Sequence, residues 1–514
     1  MEVVLLGTGA ADGWPNPWCS CTTCIRAREQ GPVRTTTSAL VDRTLLVDCG
    51  PDAPRQADRA GIGLTGVRAI LLTHAHPDHW APETLLARAW SITGTSAAPS
   101  ATTTSVTPSV PPSATSGGPR VRVIGPATAI DACRHWIAPD DVSLSLEIVT
   151  PGAMITIEGY VVRVLAAAHA SPTLARTSQD PLTSDAVLYD VTAPDGARLL
   201  YATDTGPLSD ATIETTRGAA FDLVLLEETF GRRSDHGTGH HDLTTFPLEL
   251  ARLRANGAID GRTDVVAVHL GHHNPSGAEL DRVLSHWGAR TVEDLTVIEV
   301  ATRAVDEPPR VERPETPCRT LILGGARSGK SREAERRLLA KSDVHYVATA
   351  VSLDPAPQGA HATRTDGNAM ADPEWAARVA AHRARRPARW RTSETIDVAA
   401  LLTAAEKGEP VLIDCLALWL AGQLDRAKAW DDAPGTPPYN DAVATVSRAI
   451  DILVRAVRTT SAHVVMVSNE VGSGIVPDHP SGRVYRDLLG SLNMRVAAEC
   501  DVVDLVVAGR VISL

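Results

Sequence analysis

Apolar positions along the chain fall into two regimes. In the first three hundred or so residues, short apolar runs stop at Gly-marked turns. Val3–Leu6 ends at Gly7-Thr8-Gly9, and Ala39–Asp48 and Arg68–Thr73 are further runs of strand length. Strand-like runs resume at Val121–Ile124, Val161–Ala166, Arg198–Ala202, Leu223–Leu226 and Val265–Val268, and helical spacing appears over Leu243–Leu253 and Ala278–Trp287. Thr93–Pro119 is a tract of Ser, Thr, Ala, Pro and Gly with no charge before Arg120. It cannot bury a core and is expected to be a disordered insert. Asp306–Pro317, rich in Pro and charge, reads as a linker. Beyond it strand and helix alternate. Arg319–Leu323 is a strand, followed by a Gly-rich turn and a helix from about Ser331 to Leu339. Tyr346–Ala350, Val411–Leu416, His463–Ser468 and Val502–Val507 are further buried strands, and Asp354–Pro373 and Asp431–Pro438 are expected loops. Short buried strands alternating with helices predict a largely parallel sheet. The expected organisation is α/β with two domains: residues 1–303 with the insert at about 93–119, a linker at 304–317, and residues 318–514.

Composition adds limits. The chain has 514 residues, enough for two large domains. Its 43% hydrophobic and 21% charged residues are ordinary for a globular protein. A net charge of −12 argues against a broad nucleic-acid-binding face. Met1–Gly7 carries no basic, signal-like segment, and no run approaches the roughly 20 apolar residues that span a bilayer. A cytoplasmic location without a membrane span is therefore expected. Of the eight cysteines, Cys19, Cys21 and Cys24 sit together, which in a reducing compartment points to metal binding over disulfides.

Gly324-Gly325-Ala326-Arg327-Ser328-Gly329-Lys330-Ser331 fits the phosphate-loop pattern G-x-x-x-x-G-K-[ST], with a strand before it and a helix after it. Its backbone N–H groups would close on phosphate oxygens, Lys330 would reach the β/γ-phosphates, and the Ser331 hydroxyl would hold Mg²⁺ of bound GTP or ATP. A second metal carboxylate is expected at the end of a neighbouring strand, where Asp414 stands.

Six ordered segments carry a resemblance: Leu321–Ser331, Tyr346–Ala350, His382–Glu394, Val411–Leu416, Val467–Pro477 and Tyr485–Asn493. Together, over about residues 318 to 514, they resemble adenosylcobinamide kinase/adenosylcobinamide-phosphate guanylyltransferase of cobalamin biosynthesis. The resemblance implies phosphorylation of adenosylcobinamide and then transfer of GMP from GTP to adenosylcobinamide phosphate through a guanylylated histidine, which here is His382. It also implies a homo-oligomer, a trimer in that family. The chemistry suits the residues: a neutral imidazole can attack an α-phosphorus, and Arg383, Arg385 and Arg386 beside it can neutralise phosphate charge. Two departures stand out. Met494 follows Asn493 where the family commonly has Gln, and Asp354–Pro373 is an insertion ahead of His382.

The first half carries its own chemistry. After the run Ala69–Leu72, the segment His74-Ala75-His76-Pro77-Asp78-His79 puts four metal-ligand side chains on one turn. Imidazoles and a carboxylate suit Zn²⁺, Mn²⁺ or Fe. The segment resembles the metallo-β-lactamase fold, an αββα sandwich, and over about residues 1 to 303 the later ligands follow in order. The resemblance implies one metal on His74, His76 and His169, another on Asp78, His79 and His269, and Asp204 between them, the metals being Zn²⁺ or Mn²⁺. Cys19, Cys21 and Cys24 resemble the structural zinc loop of the phosphonate-pathway cyclic phosphodiesterase branch. That implies His272 as the fourth zinc ligand and His240 as candidate general acid. The combined expectation is a dinuclear phosphoesterase-like hydrolase fused to a kinase/guanylyltransferase. The alternative is a small-molecule phosphate-loop kinase without guanylyl transfer, fused to a non-catalytic metal-binding domain.

Overall fold

The structure, a computed structural model, describes residues 1–31, 33–93, 120–137, 141–169, 185–302, 318–341, 343–349, 386–430 and 434–514. Nearly all of the expected insert, the linker, the loop Asp354–Pro373 and His382 lie outside these residues. Two compact units, Met1–Arg310 and Val311–Leu514, divide the chain.

The first unit is built on two seven-stranded sheets. In order across the first sheet run Val297–Glu299, Glu2–Gly7, Ser38–Val41, Leu45–Val47, Ala69–Leu71, Val121–Gly125 and Leu144–Ile148. The second holds Ala289–Arg290, Asp264–Val268, Leu223–Glu227, Arg198–Ala202, Val187–Thr192, Tyr160–Ala166 and Met154–Ile157. Strand periodicity explains the layering. Val3 and Leu5 turn into the core between the sheets, where Val41 and Val47 meet Val162, Val187 and Leu199. Val4 and Leu6 turn the other way, onto a layer with Ala53, Ala57, Ala129 and Ile130 of the helices Ala53–Arg59 and Ala127–Cys133. Helices Asp210–Thr215 and Gly277–Ser285 pack on strands of the second sheet, which completes an αββα sandwich.

The second unit has one sheet, ordered Arg391–Glu394, His345–Ala348, Pro410–Asp414, His463–Asn469, Arg319–Gly324, Val502–Val507 and Arg510–Ser513. All pairings are parallel except the last, an antiparallel hairpin. Leu321, Ile322, Val411, Leu412, Val464 and Val465 are buried in its core, as parallel strands covered on both faces require. Among the described residues no helix is long and apolar enough to cross a membrane.

Three sequence expectations need correction. The run Ala39–Asp48 is not one strand but two, Ser38–Val41 and Leu45–Val47, joined by a tight hairpin. The connection is Asp42-Arg43-Thr44: Asp42 and Arg43 take left-handed φ of 44° and 55°, and the Thr44 N–H donates to the Val41 carbonyl at 2.8 Å. Val411–Leu416 overruns its strand, which ends at Asp414; Leu416 instead opens the helix Leu416–Arg426. Pro437 lies in an expected loop but starts the helix Pro437–Thr459, where a missing N–H costs nothing.

Candidate functional site

In the first unit, four strands release their C-terminal ends toward one place. Ala69–Leu71 leads into the turn bearing His74, His76, Asp78 and His79. Tyr160–Ala166 leads to His169, Arg198–Ala202 to Asp204, and Asp264–Val268 to His269. Asp204 Oδ2 lies 2.9 Å from His74 Nε2, 3.3 Å from His79 Nε2, 3.6 Å from His169 Nε2 and 3.7 Å from His76 Nδ1. His269 Nε2 lies 3.3 Å from His79 Nε2 and 3.4 Å from Asp78 Oδ2. Among the described residues three overlapping groups result: His74, His76, His169 and Asp204; Asp78, His79, His269 and Asp204; and Asp204, Glu227, His240 and His269, each with ligand atoms within 4.8 Å of one another.

The donor set fits two divalent cations that share Asp204. His74 Nε2, His76 Nε2 and Asp204 Oδ1 are buried without a hydrogen bond of good geometry, although Asp204 Oδ2 lies 2.9 Å from His74 Nε2 and His240 Nδ1 lies 3.0 Å from Asp204 Oδ1. Crowded lone pairs of this kind are satisfied by a cation and by little else. Burial pulls the His74 imidazole down to about 4, so it stays neutral and able to ligate. Against burial, His269, His240 and His74 hold the Asp204 carboxyl well below its ordinary range, so it stays an anion.

An outer layer of hydrogen bonds holds these candidate ligands. Asp48 Oδ2 sits 2.7 Å from His79 Nδ1, and its other oxygen accepts from the Thr73 N–H at 2.8 Å. Thr73 Oγ1 is 3.0 Å from His74 Nδ1, and Thr229 Oγ1 is 2.9 Å from His269 Nδ1. Such partners fix ring orientation and raise ligand basicity. Asp48, Asp204 and His269 all take positive φ, at 57°, 53° and 56°. Strain of roughly 1–3 kcal/mol at each is borne where the strands must hand their ligands inward.

His240 Nδ1 stands 3.0 Å from Asp204 Oδ1 and 3.1 Å from Glu227 Oε2. Glu227 is fully buried and also accepts from the backbone N–H groups of Thr205 and His241. Against burial, Glu227 and Asp204 push the His240 imidazole up to about 11. Sequence reasoning missed Asp48 and Glu227. Each is the carboxylate that closes an apolar strand run, and that was the only signal.

Cys19, Cys21, Cys24 and His272 form a separate group. Cys21 Sγ is 3.5 Å from His272 Nδ1. Against burial, hydrogen bonds from Thr23 and His272 pull the Cys21 thiol down to about 5, which supplies a thiolate at neutral pH. Three sulfurs and one imidazole fit a closed zinc site. His272 also begins a chain of ring contacts that reaches His240. Its centroid is 4.2 Å from that of His273, His273 is 5.7 Å from Phe230, and Phe230 is 5.4 Å from His240. Cys24→Ser should therefore remove one zinc per chain by elemental analysis. A loss of about 3 kcal/mol would lower the melting transition of this unit by roughly 6–12 °C. Unchanged zinc content would refute the site.

In the second unit the phosphate loop follows the strand Arg319–Gly324 and precedes the helix Lys330–Leu338. Gly329 has φ 101°, and a Cβ on Gly324 would come 2.7 Å from the Val506 carbonyl oxygen, so both glycines are sterically required. Lys330 Nζ lies 3.2 Å from the Gly325 carbonyl, and Ser331 Oγ lies 3.3 Å from Asp414 Oδ1. This places a hydroxyl and a carboxylate side by side, the pair a magnesium ion with a nucleotide takes. Asn493, one residue before Met494, bridges two segments. It accepts from Ser468 Oγ at 2.6 Å and donates to the Asn469 carbonyl at 2.9 Å. Met494 itself is 68% exposed, so the side chain at that departure makes no part of this bridge.

With the geometry described, comparison with known proteins finds two families. One, described as cobinamide kinase / cobinamide phosphate guanyltransferase, matches residues 320–514. The other, a beta-lactamase superfamily domain, matches residues 43–269. The bifunctional adenosylcobalamin biosynthesis protein CobU of Salmonella typhimurium is 36% identical over 195 residues, 37% of this chain and 95% of that protein. Its counterpart CobP of Pseudomonas aeruginosa is 39% identical over 195 residues, 37% of this chain and 94% of that protein. Among solved structures, a diphosphatase from the PhnP family aligns with 58% of this chain and 97% of its own, at 20% identity and a TM-score of 0.42.

Proposed function

This chain belongs, through residues 320–514, to the cobinamide kinase / cobinamide phosphate guanyltransferase family, and from that premise we propose that it acts in cobalamin biosynthesis as a fused enzyme. The second unit phosphorylates adenosylcobinamide with ATP or GTP and then transfers GMP from GTP to the resulting phosphate. The observation that carries this is the pairing of Ser331 with Asp414 beside a complete phosphate loop.

Mg²⁺ held by Ser331 and Asp414 would neutralise phosphate charge when bound. Lys330 draws the terminal phosphates into line, and the N–H groups of the loop fix their oxygens against a helix N-terminus. His382 supplies the nucleophilic nitrogen of the second reaction, displacing pyrophosphate from GTP and then yielding GMP to the corrinoid phosphate. Four positions further along the chain, the Arg386 guanidinium lies 3.2 Å over the Tyr346 ring.

The first unit is a metallo-β-lactamase-fold hydrolase, and the reading favoured here is a phosphoesterase. Two divalent cations, Zn²⁺ or Mn²⁺, held by His74, His76, His169, Asp204, Asp78, His79 and His269 would polarise a phosphodiester and activate water. His240, oriented by Glu227 through Nδ1, leaves Nε2 as the atom that delivers a proton to the leaving oxygen. Ring contacts from His272 through His273 and Phe230 to His240 connect the candidate zinc loop to this acid. A fusion of this kind is economical if the hydrolase acts on a phosphoester of corrinoid metabolism. A cytoplasmic homo-oligomer completes the proposal.

The test uses the full chain with Mg²⁺, GTP and adenosylcobinamide. Mass spectrometry should find first the phosphate and then the GDP derivative of the corrinoid. Accumulation of the phosphate alone would favour the plain kinase. No corrinoid turnover would overturn the reading. Loaded with Zn²⁺ or Mn²⁺, the same preparation should hydrolyse bis(p-nitrophenyl) phosphate, and metal-independent inertness would leave a binding module.

A further inference from the structure

Strand pairing puts an aromatic hydroxyl against the metal carboxylate of the phosphate-loop unit. Strand His345–Ala348 runs parallel to Pro410–Asp414, with Tyr346 opposite Leu412. Side chains two residues apart on a strand share a face about 6.6 Å apart. A tyrosine side chain spans that distance, so Tyr346 reaches along its neighbour to Asp414. Its hydroxyl donates to Asp414 Oδ2 at 2.7 Å, while the other oxygen, Oδ1, lies 3.3 Å from Ser331 Oγ. The two oxygens are thereby divided, one tied to the sheet and one turned to the phosphate loop. Tyr346 is 1% exposed. Its ring is engaged too. The Arg386 guanidinium carbon sits 3.2 Å from the ring centroid, and Arg386 Nε is buried without a hydrogen-bond partner. The charge of Arg386 is thus held over an aromatic face, one ring away from Asp414.

We propose that Tyr346 is a positioning residue of the nucleotide site: its hydroxyl sets the Asp414 carboxylate for the nucleotide's divalent cation, and its ring seats Arg386 against the phosphates. The inference rests on the kinase/guanylyltransferase reading for the presence of a metal–nucleotide complex. It assigns Tyr346 a task that no strand residue needs for folding alone, since a buried phenol is satisfied equally by any carbonyl. Freed of the tyrosine, Asp414 can rotate and offer Ser331 and the cation a poorly placed oxygen. Without the ring, Arg386 loses the surface that holds its charge in place.

The experiment measures the affinity of the full-length chain for the β,γ-imido analogue of GTP by isothermal titration, with and without added Mg²⁺. Tyr346→Phe keeps the ring. It should lower affinity with Mg²⁺ by roughly tenfold, as loss of an outer-layer partner does, and leave Mg²⁺-free affinity unchanged. Tyr346→Leu removes ring and hydroxyl, and should in addition weaken Mg²⁺-free binding to the level of Arg386→Ala. Melting temperature and circular dichroism report folding for each variant. Tyr346→Phe with wild-type Mg²⁺ dependence would overturn the hydroxyl's role. Tyr346→Leu no weaker than Tyr346→Phe without Mg²⁺ would overturn the seat for Arg386. Failure of the wild-type chain to bind the analogue would instead sink the nucleotide reading itself, so the two failures are distinct.

Discussion

Asp204→Asn is expected to cut bound metal in the first unit from about two ions to one or none, and to lower its phosphodiester hydrolysis by ~10³-fold or more. The substitution changes two atoms' chemistry and almost no volume. Asp204 Oδ2 faces the nitrogens of His74, His79, His169 and His76 within 3.7 Å, and Oδ1 faces His240 at 3.0 Å. An amide has no charge to share between two cations, and its NH₂ would point hydrogens where lone pairs must converge. His240 would lose one of the two carboxylates that orient it, retaining Glu227. Metal content by elemental analysis and turnover of bis(p-nitrophenyl) phosphate are the readouts. Nucleotide binding by the second unit serves as the control, because no residue of its phosphate loop is touched. Two metals held at wild-type affinity with unchanged turnover would refute the shared-ligand assignment.

His382→Ala is expected to abolish covalent guanylylation while phosphorylation of adenosylcobinamide stays within about twofold. Only the second reaction needs a nitrogen that bonds to phosphorus. Chains incubated with Mg²⁺ and GTP labelled at the α-phosphate, then denatured, should retain label that is acid-labile and alkali-stable in the wild type and absent in the variant. Transfer of GMP to the corrinoid phosphate should fall by ~10³-fold or more. An unlabelled wild type would point to the plain kinase. Label surviving in the variant would move the nucleophile elsewhere.

Chemistry packed into a few consecutive residues was readable along the chain. His74, His76, Asp78 and His79 fall within one turn, the phosphate loop within Gly324–Ser331, and three thiols within Cys19–Cys24. Over such spans the backbone has little choice, and spacing alone brings side chains together. Strand positions were readable for the same reason, since a buried strand announces itself by its own apolar residues. The errors lay where a local conformation broke a run, as at Asp42-Arg43, whose left-handed turn splits Ala39–Asp48 into a hairpin. Several strands with mixed polarity also went unread, among them Met154–Ile157 and Arg391–Glu394.

Partnerships across long separations were a different matter. Asp48 reaches His79 across 31 positions, Glu227 meets His240 across 13, and Tyr346 meets Asp414 across 68. Asp48, Glu227 and Tyr346 look like any other residue at the end or middle of an apolar run, and Asp414, although expected as a metal carboxylate, carries no sign of its tyrosine partner. What selects them is the order of strands in a sheet and the register between neighbours, which align one strand's end with another's side chain. Ligand identity is a property of residue type and can be written in a short motif. The hydrogen bonds that orient the ligands come from side-chain contacts that exist only after the sheets have closed, and no short motif encodes them.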